Sequence, residues 1–171
     1  MKIFCCTLLC VSVLPAAVPA MKCDALAAQP FGDQVKIRSA IPVPATASLP
    51  EHCDVRGVIW PEAGFAIKLP TQWNDRFQMV GNGGTAGVLS MGAVDTAVRK
   101  GFAATSTDTG HDAAKEPLAT FACETPENRT GGASFWTFAW LSVHETAVLA
   151  KRSSRHPPDP PACFRTTWTR F

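Results

Sequence analysis

The sequence lacks several features that would assign it to a particular class of protein. Its 171 residues carry a formal net charge of only +2, and basic side chains are interspersed with acidic ones. No basic face therefore indicates a nucleic-acid partner, and no acidic tail indicates a polyelectrolyte partner. The chain also has no internal repeat. With 46% apolar and 18% charged residues, the composition is that of one globular domain that suits a small or uncharged ligand.

The N-terminal segment lacks an apolar run long enough to cross a membrane. A single lysine precedes the apolar run Ile3–Val13, and about eleven residues are too few for a hydrocarbon core of roughly 30 Å. Small residues at Val18 and Ala20 suit signal peptidase. We therefore expect residues 1–20 to be a signal peptide that is cleaved after Ala20, and the mature protein to be secreted or periplasmic, with no membrane partner.

Export leaves few cysteines in the mature chain. Those at positions 5, 6 and 10 leave with the signal peptide, and four remain: Cys23, Cys53, Cys123 and Cys163. Four cysteines in an oxidising compartment indicate disulfides, but they allow three pairings, among which the sequence alone does not choose. Since they show no C-x-x-C spacing and no histidine at ligand spacing, we expect no metal site.

The first half of the mature chain has the pattern of β-structure. After an irregular lead-in, strands are predicted over residues 35–41, 54–60, 64–69 and 76–80. Prolines at 42, 44 and 50 are expected to break the chain after the first strand. Pro61 and Glu62 suit the turn of a hairpin between the second and third strands.

A βαβ unit is predicted next. The fourth strand runs into the glycine loop GNGGTAG at 81–87, and residues 92–100 have helical spacing, with Ala93, Val94, Ala97 and Val98 on the apolar side. Gly101 ends this helix, and a buried strand is predicted over 102–107. Together they form a unit whose crossover is expected to be right-handed.

The remaining sequence divides into a loop, a helix and a tail. Residues 108–135 are loop-like and contain a glycosylation sequon at Asn128. A helix is predicted over 138–151, with an apolar stripe that contains Phe138, Leu141, Val148 and Leu149. Residues 152–171 are rich in proline and arginine, with four prolines within five residues, so we place a boundary at about residue 151.

The tail is expected to be foreign to the fold, as the product of a frameshift or a premature stop. Its composition cannot supply the buried apolar strand that the preceding helix should lead to. The sheet would then keep an exposed edge, and the protein would be poorly soluble or partly molten. The alternative is a natural flexible tail on a complete small domain.

The glycine loop is compatible with two kinds of chemistry. Gly81-x-Gly83-x-x-Ala86, with Asp108 about twenty residues further on, matches a dinucleotide-binding fingerprint. However, three predicted strands precede the βαβ unit that contains it, whereas such a unit normally opens its domain, and an exported protein rarely meets nicotinamide cofactors. The loop can instead direct backbone N–H groups at an anionic oxygen, as the oxyanion loop of α/β-hydrolases does. A simple tight turn is the third interpretation.

Several linked motifs favour the oxyanion loop. The sequence resembles the tannase and feruloyl esterase family over about residues 23–151, in the family's order and at about its spacing. The motifs are CDVRG at 53–57, PEAGFAIKLP at 61–70, WNDRF at 73–77, VGNGGTAG at 80–87, GFAATSTDTGH at 101–111 and VHETAVLAK at 143–151. A set of linked motifs is much more specific than a lone glycine loop.

This resemblance implies a serine esterase with an α/β-hydrolase core and a large lid domain, acting on aromatic acid esters such as gallates and ferulates. Relatives often bind calcium in the lid, whose ligands lie outside this chain, so no cofactor is expected here. By matching position, Gly83, Gly84 and Thr85 would supply the oxyanion N–H groups, although Thr85 stands where an aromatic or other apolar residue is common. The resemblance also implies a disulfide between Cys23 and Cys53.

The catalytic triad itself is missing from these residues. The chain contains neither Gly-x-Ser-x-Gly nor the family's Cys-Ser-x-Gly-Gly. Because the order in α/β-hydrolases is serine, acid, histidine, we expect a partial α/β fold, with N-terminal strands, a βαβ unit and a helix. It would lack the nucleophile strand, the lid and the C-terminal part, and would be inactive alone.

The remaining polar candidates therefore receive structural roles. Asp108 and His111 are expected to brace the active-site floor, and His144 to be a hydrogen-bonded helical histidine. The main rival function is an exported, non-enzymatic binding module. In that interpretation the glycine loop is a turn, and four tryptophans line a surface for aromatic ligands: Trp60, Trp73, Trp136 and Trp140.

Overall fold

A computed structural model describes residues 21–123, 129 and 131–154. The strands are β1 (Val35–Val43), β2 (His52–Ile59), β3 (Ala63–Pro70), β4 (Phe77–Val80) and β5 (Ala103–Thr107). The helices are α1 (Met91–Arg99), α2 (Gly131–Trp136) and α3 (Ser142–Ser154), with a π-helical segment at Thr137–Leu141 and 3₁₀ turns at Asp24–Ala28 and Pro117–Ala122. The predicted signal peptide, the sequon asparagine and the tail from residue 155 lie outside the described residues.

The five strands form one mixed sheet in the order β1-β2-β3-β5-β4. Strands β1 to β3 are an antiparallel meander, β5 pairs antiparallel with β3, and β4 pairs parallel with β5. This arrangement confirms the α/β class. The predicted β2–β3 hairpin and the strand, loop, helix, strand unit around the glycine loop are both present.

The first strand differs from its prediction because a proline does not end it. β1 continues through Pro42, which pairs with Cys53, to Val43. A proline is tolerated in an edge strand, where its missing N–H faces away from the partner. A register shift between Ile37 and Ser39 adds a bulge to the same strand.

Helices α1 and α3 cover opposite faces of the sheet. Ala103 and Ala104 are neighbours in β5, yet Ala103 packs in the cluster that contains Leu149 of α3 and Ala104 in the cluster that contains Val94 of α1. Successive side chains of a strand point to opposite faces. Every residue of β5 is therefore buried, as expected for a strand inside an α/β sheet.

Helix α1 differs from its prediction at two residues, one on each side. Ala93, placed on its apolar side, is exposed, whereas Val94, Ala97 and Val98 are buried. Asp95, placed on the solvent side, lies 2.6 Å from Nζ of Lys68 in β3. Lys68 is only 8% exposed. Since its partner lies in α1, this largely buried ion pair joins the helix to the sheet. Gly101 ends the helix with φ +79°.

The C-terminal helical segment is longer than the predicted helix 138–151. Helical structure begins at Gly131, in the region predicted to be a loop, and continues past residue 151 to Ser154. The buried face also differs: Ser142 and Thr146 are fully buried, whereas Phe138, Leu141 and Val148 of the predicted stripe are only half-buried. Small side chains let α3 approach β5 closely, and the larger ones lie at the margins.

A disulfide joins Cys23 to Cys53, the pairing that the resemblance implies, with their Cα atoms 5.5 Å apart. It ties the first 3₁₀ turn to β2, and Leu26 of that turn is buried in the main core. Among the described residues, no helix is long and apolar enough to cross a membrane.

Candidate active-site loop

The glycine loop lies at the carboxyl ends of β4 and β5, where ligands bind in open α/β sheets. Gly83 and Gly84 are exposed, and a Cβ built on either would meet no atom within 4 Å. Among the residues that the structure describes, the amides of Gly83, Gly84 and Thr85 donate to no protein acceptor. Three consecutive N–H groups are therefore free to bind an anionic oxygen.

The backbone conformation at Gly84 explains why glycine stands there. Its φ is +56°, in the left-handed region that a β-branched residue adopts only at a cost. The only turn bond within the loop runs from Ala86 N to Gly83 O, at 3.2 Å. The chain thus turns at Gly84, where no atom lies within 4 Å of the position that a Cβ would take.

Asn82 attaches the loop to its surroundings, a role that the sequence analysis missed. Its Nδ2 donates to the carbonyl oxygen of Thr107 at 2.8 Å, and its Oδ1 accepts from Oγ of Ser90 at 3.2 Å. The amide of Ser90 in turn donates to Oγ of the buried Ser106 at 3.1 Å. The available signal was an asparagine directly after a strand, with one donor and one acceptor on the same side chain.

His111 contacts the loop from its other side. Its Nε2 lies 2.8 Å from the carbonyl oxygen of Thr85, and the residue is only 7% exposed. The imidazole stacks on Phe121, with ring centroids 4.1 Å apart, and meets the edge of Phe138 at 5.5 Å. His111 thus contacts the loop although it lies 26 residues from Thr85 in the sequence.

Asp108 lies in the turn that follows β5. Its Oδ1 accepts from the amides of Gly64 at 2.8 Å and Gly110 at 2.9 Å. Burial raises the pKa of this carboxyl above its ordinary value, and the donors of Gly110 and Gly64 partly offset that effect. A Cβ at Gly64 would collide with Oδ2. A carboxylate held in this way braces its turn and is not directed at a ribose.

His144 and two of the tryptophans form a stack of rings on the helical segment. His144 stacks on Trp140, with centroids 4.5 Å apart, and Trp140 stacks on Trp136 at 5.3 Å. Trp136 and Trp140 are exposed. Trp73 instead lines a cavity of about 530 Å³. Ala103 at the start of β5 and Ser154 at the end of α3 line the same cavity. Among the described residues, ring contacts join Trp136 to Trp140 but do not include Trp60 or Trp73.

The described residues offer no metal centre. They contain no group of three or more His, Cys, Asp or Glu side chains that could hold an ion.

Comparison with known proteins identifies the family. The family model for tannase and feruloyl esterase matches residues 48–155, which is more than half of the chain. The mono(2-hydroxyethyl) terephthalate hydrolase of Piscinibacter sakaiensis is 39% identical, over 44% of this chain and 15% of that protein. The family-model match at residues 48–155 contains the glycine loop, α1, β5 and His111.

Solved structures agree on the fold. An esterase from Aspergillus oryzae superposes with a TM-score of 0.62 at 19% identity, over 77% of this chain and 28% of its own. Feruloyl esterase B from Aspergillus oryzae superposes with a TM-score of 0.58 at 20% identity, over 77% of this chain and 29% of its own. The tannin acyl hydrolase from Aspergillus niger superposes with a TM-score of 0.57 at 20% identity, over 78% of this chain and 28% of its own. The chain spans less than a third of the length of these proteins, and by its sequence match it belongs to the tannase and feruloyl esterase family.

Proposed function

We propose that these residues are the N-terminal part of a secreted or periplasmic carboxylic ester hydrolase that acts on esters of aromatic acids, such as gallates or ferulates. Hydrolysis would proceed through an acyl-serine intermediate. The observation that carries the proposal is the set of three unpaired, exposed amides at Gly83, Gly84 and Thr85, at the position where an α/β-hydrolase binds its oxyanion.

The chemical role of the loop follows from its geometry. In ester hydrolysis the carbonyl oxygen becomes negatively charged in the tetrahedral intermediate, and donors already aimed at that position stabilise it without reorganisation. The absence of side chains at Gly83 and Gly84 leaves room for the substrate carbonyl. The loop would thus supply electrostatic stabilisation, while the nucleophile and its base would come from elsewhere.

We also propose that the 171-residue chain alone is inactive, because it contains no serine in a nucleophile-elbow motif. Loss of triad members in other hydrolases lowers the rate by about 10⁴- to 10⁶-fold. We expect no turnover of methyl gallate or methyl ferulate above background. Turnover that disappears on Gly84→Val would show that these residues contain a nucleophile after all.

A chimera tests the ester hydrolase proposal. Residues 23–151 would replace the matching segment of the feruloyl esterase B from Aspergillus oryzae, whose remaining chain would supply the triad. We expect a chimera with a cooperative thermal transition to hydrolyse methyl ferulate. A cooperatively folded chimera without turnover, beside an active parent enzyme, would contradict the proposal.

A binding module is the second candidate, and the exposed stack of Trp136 and Trp140 on the helical segment favours it. Such a module would bind ferulate through its indoles and quench their fluorescence. Trp136→Ala would abolish that quenching in a binding module, whereas it would leave turnover by the chimera unchanged if the esterase proposal holds.

A further inference from the structure

The loop that presents the three amides has little internal support. Its one turn bond joins Ala86 to Gly83, and no side chain contacts the open faces of Gly83 and Gly84. Glycine backbone is the most conformationally free in a protein. Donors that stabilise a developing charge must nevertheless be fixed before the reaction, so bonds to groups outside the loop must hold it in place.

Asn82 holds the side of the loop nearest to the strand. Its Nδ2 donates to Thr107 O at the end of β5, and its Oδ1 accepts from Ser90, the residue before α1. One amide group therefore connects the loop to a buried strand and to the start of a helix. Neither aspartate nor alanine can keep both bonds, since aspartate lacks the donor and alanine lacks both groups.

His111 holds the far side. A carbonyl oxygen only accepts hydrogen bonds, so the 2.8 Å contact with Thr85 O requires a proton on Nε2. The stacking against Phe121 and Phe138 prevents the ring from turning away. Gly87, the next glycine of the loop, packs so closely on the His111 backbone that a Cβ there would collide with it.

We propose that Asn82 and His111 are positioning residues that together fix the orientation of the Gly83 to Thr85 amides. This inference rests on the proposed oxyanion function of the loop and extends it to two side chains that do not touch the substrate. The two anchors bracket Gly83 and Gly84, so that loss of either one frees the segment between them while the sheet remains intact.

The test is ¹⁵N relaxation of the 171-residue chain, with matched controls that the chain itself offers. Asn74 donates its Nδ2 to Lys100 O at 2.8 Å near the opposite end of β4, so Asn74→Ala removes a bond of the same kind away from the loop. His52 is also buried and bonds a backbone carbonyl, Pro50 O, at 2.8 Å, so His52→Phe is the control for His111→Phe.

We expect amide order parameters at Gly83 and Gly84 to fall from roughly 0.85 to below about 0.6 in Asn82→Ala and His111→Phe. They should stay unchanged in both controls. His111→Gln, which retains a donor, should restore most of the order. If Asn82→Ala does not fold, Asn82→Asp, which keeps the acceptor for Ser90 and loses the donor, carries the test.

A spectroscopic signature separates this role from simple packing. The ¹⁵N shifts of the His111 ring should report a protonated Nε2 in the wild-type chain. An unprotonated Nε2 would overturn the proposal. So would loop order that survives both substitutions, or that falls equally in the controls. Because these measurements need no turnover, they can fail while the chimera is active, and the chimera can fail while they succeed.

Discussion

The two edges of the sheet are built differently. β1 has nine residues, with a bulge, Pro42 and the exposed side chains of Lys36 and Arg38. β4 has four residues, Phe77–Val80, with neither charge nor proline, and it runs parallel to its neighbour. Among the described residues, no second strand pairs with it.

This difference indicates which of the two edges is protected against pairing with another strand. Bulges, prolines and charges are the features by which proteins prevent edge strands from pairing with other chains. β4 has none of them, and parallel strands are normally covered on both sides. It therefore has the composition of an interior strand, and under the proposed function an adjacent strand would bring the remaining catalytic groups to the glycine loop.

The largest expected effect is on the free energy of unfolding, when a phenylalanine of the antiparallel meander is compared with one of β4. Phe65 is 1% exposed, whereas Phe77 is half-buried. We expect Phe65→Ala to lower the free energy of unfolding by about 3 to 5 kcal/mol, and Phe77→Ala by about 1 kcal/mol. Urea denaturation measures both. Equal losses would mean that β4 is as well packed as the meander.

The disulfide should rank second. It closes a loop across a sequence separation of 30 residues, for which the chain-entropy model gives roughly 3 to 4 kcal/mol. A double Cys23→Ser and Cys53→Ser variant should lose that amount in chemical denaturation. Peptide mapping without reduction checks the pairing, and a peptide that joins Cys53 to Cys123 would refute it.

Charge on the two edges should affect association unequally. Gln78 in β4 and Ile41 in β1 are both exposed. Gln78→Lys should lower the aggregated fraction by about half, because it gives β4 the protection that β1 already has. Ile41→Lys is the control and should change little. Light scattering at equal concentration distinguishes the two, and an equal response would remove the contrast between the edges.

The smallest effect concerns pH. Burial raises the folded-state pKa of Asp108 above the ordinary 3.8, so the folded protein holds this proton more tightly than the unfolded chain does. The resulting stability is fully present below the ordinary pKa of 3.8 and is lost as the pH rises from there through the raised pKa. The stability of Asp108→Asn relative to the wild type should therefore increase as the pH rises across that window. Thermal melts at several pH values check this, and parallel curves would contradict it.

The strands and the loop could be predicted because their signals are local. The hairpin turn, the glycine run after β4 and the stop at Gly101 are each encoded within a few residues. The contact of His111 with Thr85 could not be predicted, since it joins residues 26 apart whose meeting depends on the path of the whole turn. The resemblance led to the function proposed for the loop, and the geometry led to its two proposed anchors.

The helical segment shows a second limit of sequence patterns. Apolar spacing favoured Phe138, Leu141 and Val148 for the buried face, but Ser142 and Thr146 are fully buried instead. Among the described residues, neither buried hydroxyl has a hydrogen-bond partner. Nothing in the local sequence therefore indicates that these two polar residues are buried. Close approach of a helix to a strand favours small side chains regardless of polarity, and this is decided by packing.

The central claim is that the Gly83 to Thr85 amides bind the oxyanion, and a matched pair of glycine substitutions in the chimera tests it most directly. Gly84 and Gly92 both have open space where a Cβ would be added, but Gly92 lies in α1. We predict that Gly84→Val lowers kcat for methyl ferulate by about 10²- to 10³-fold, whereas Gly92→Val leaves it within about threefold. Equal activity in the two variants, with both chimeras cooperatively folded, would contradict the account.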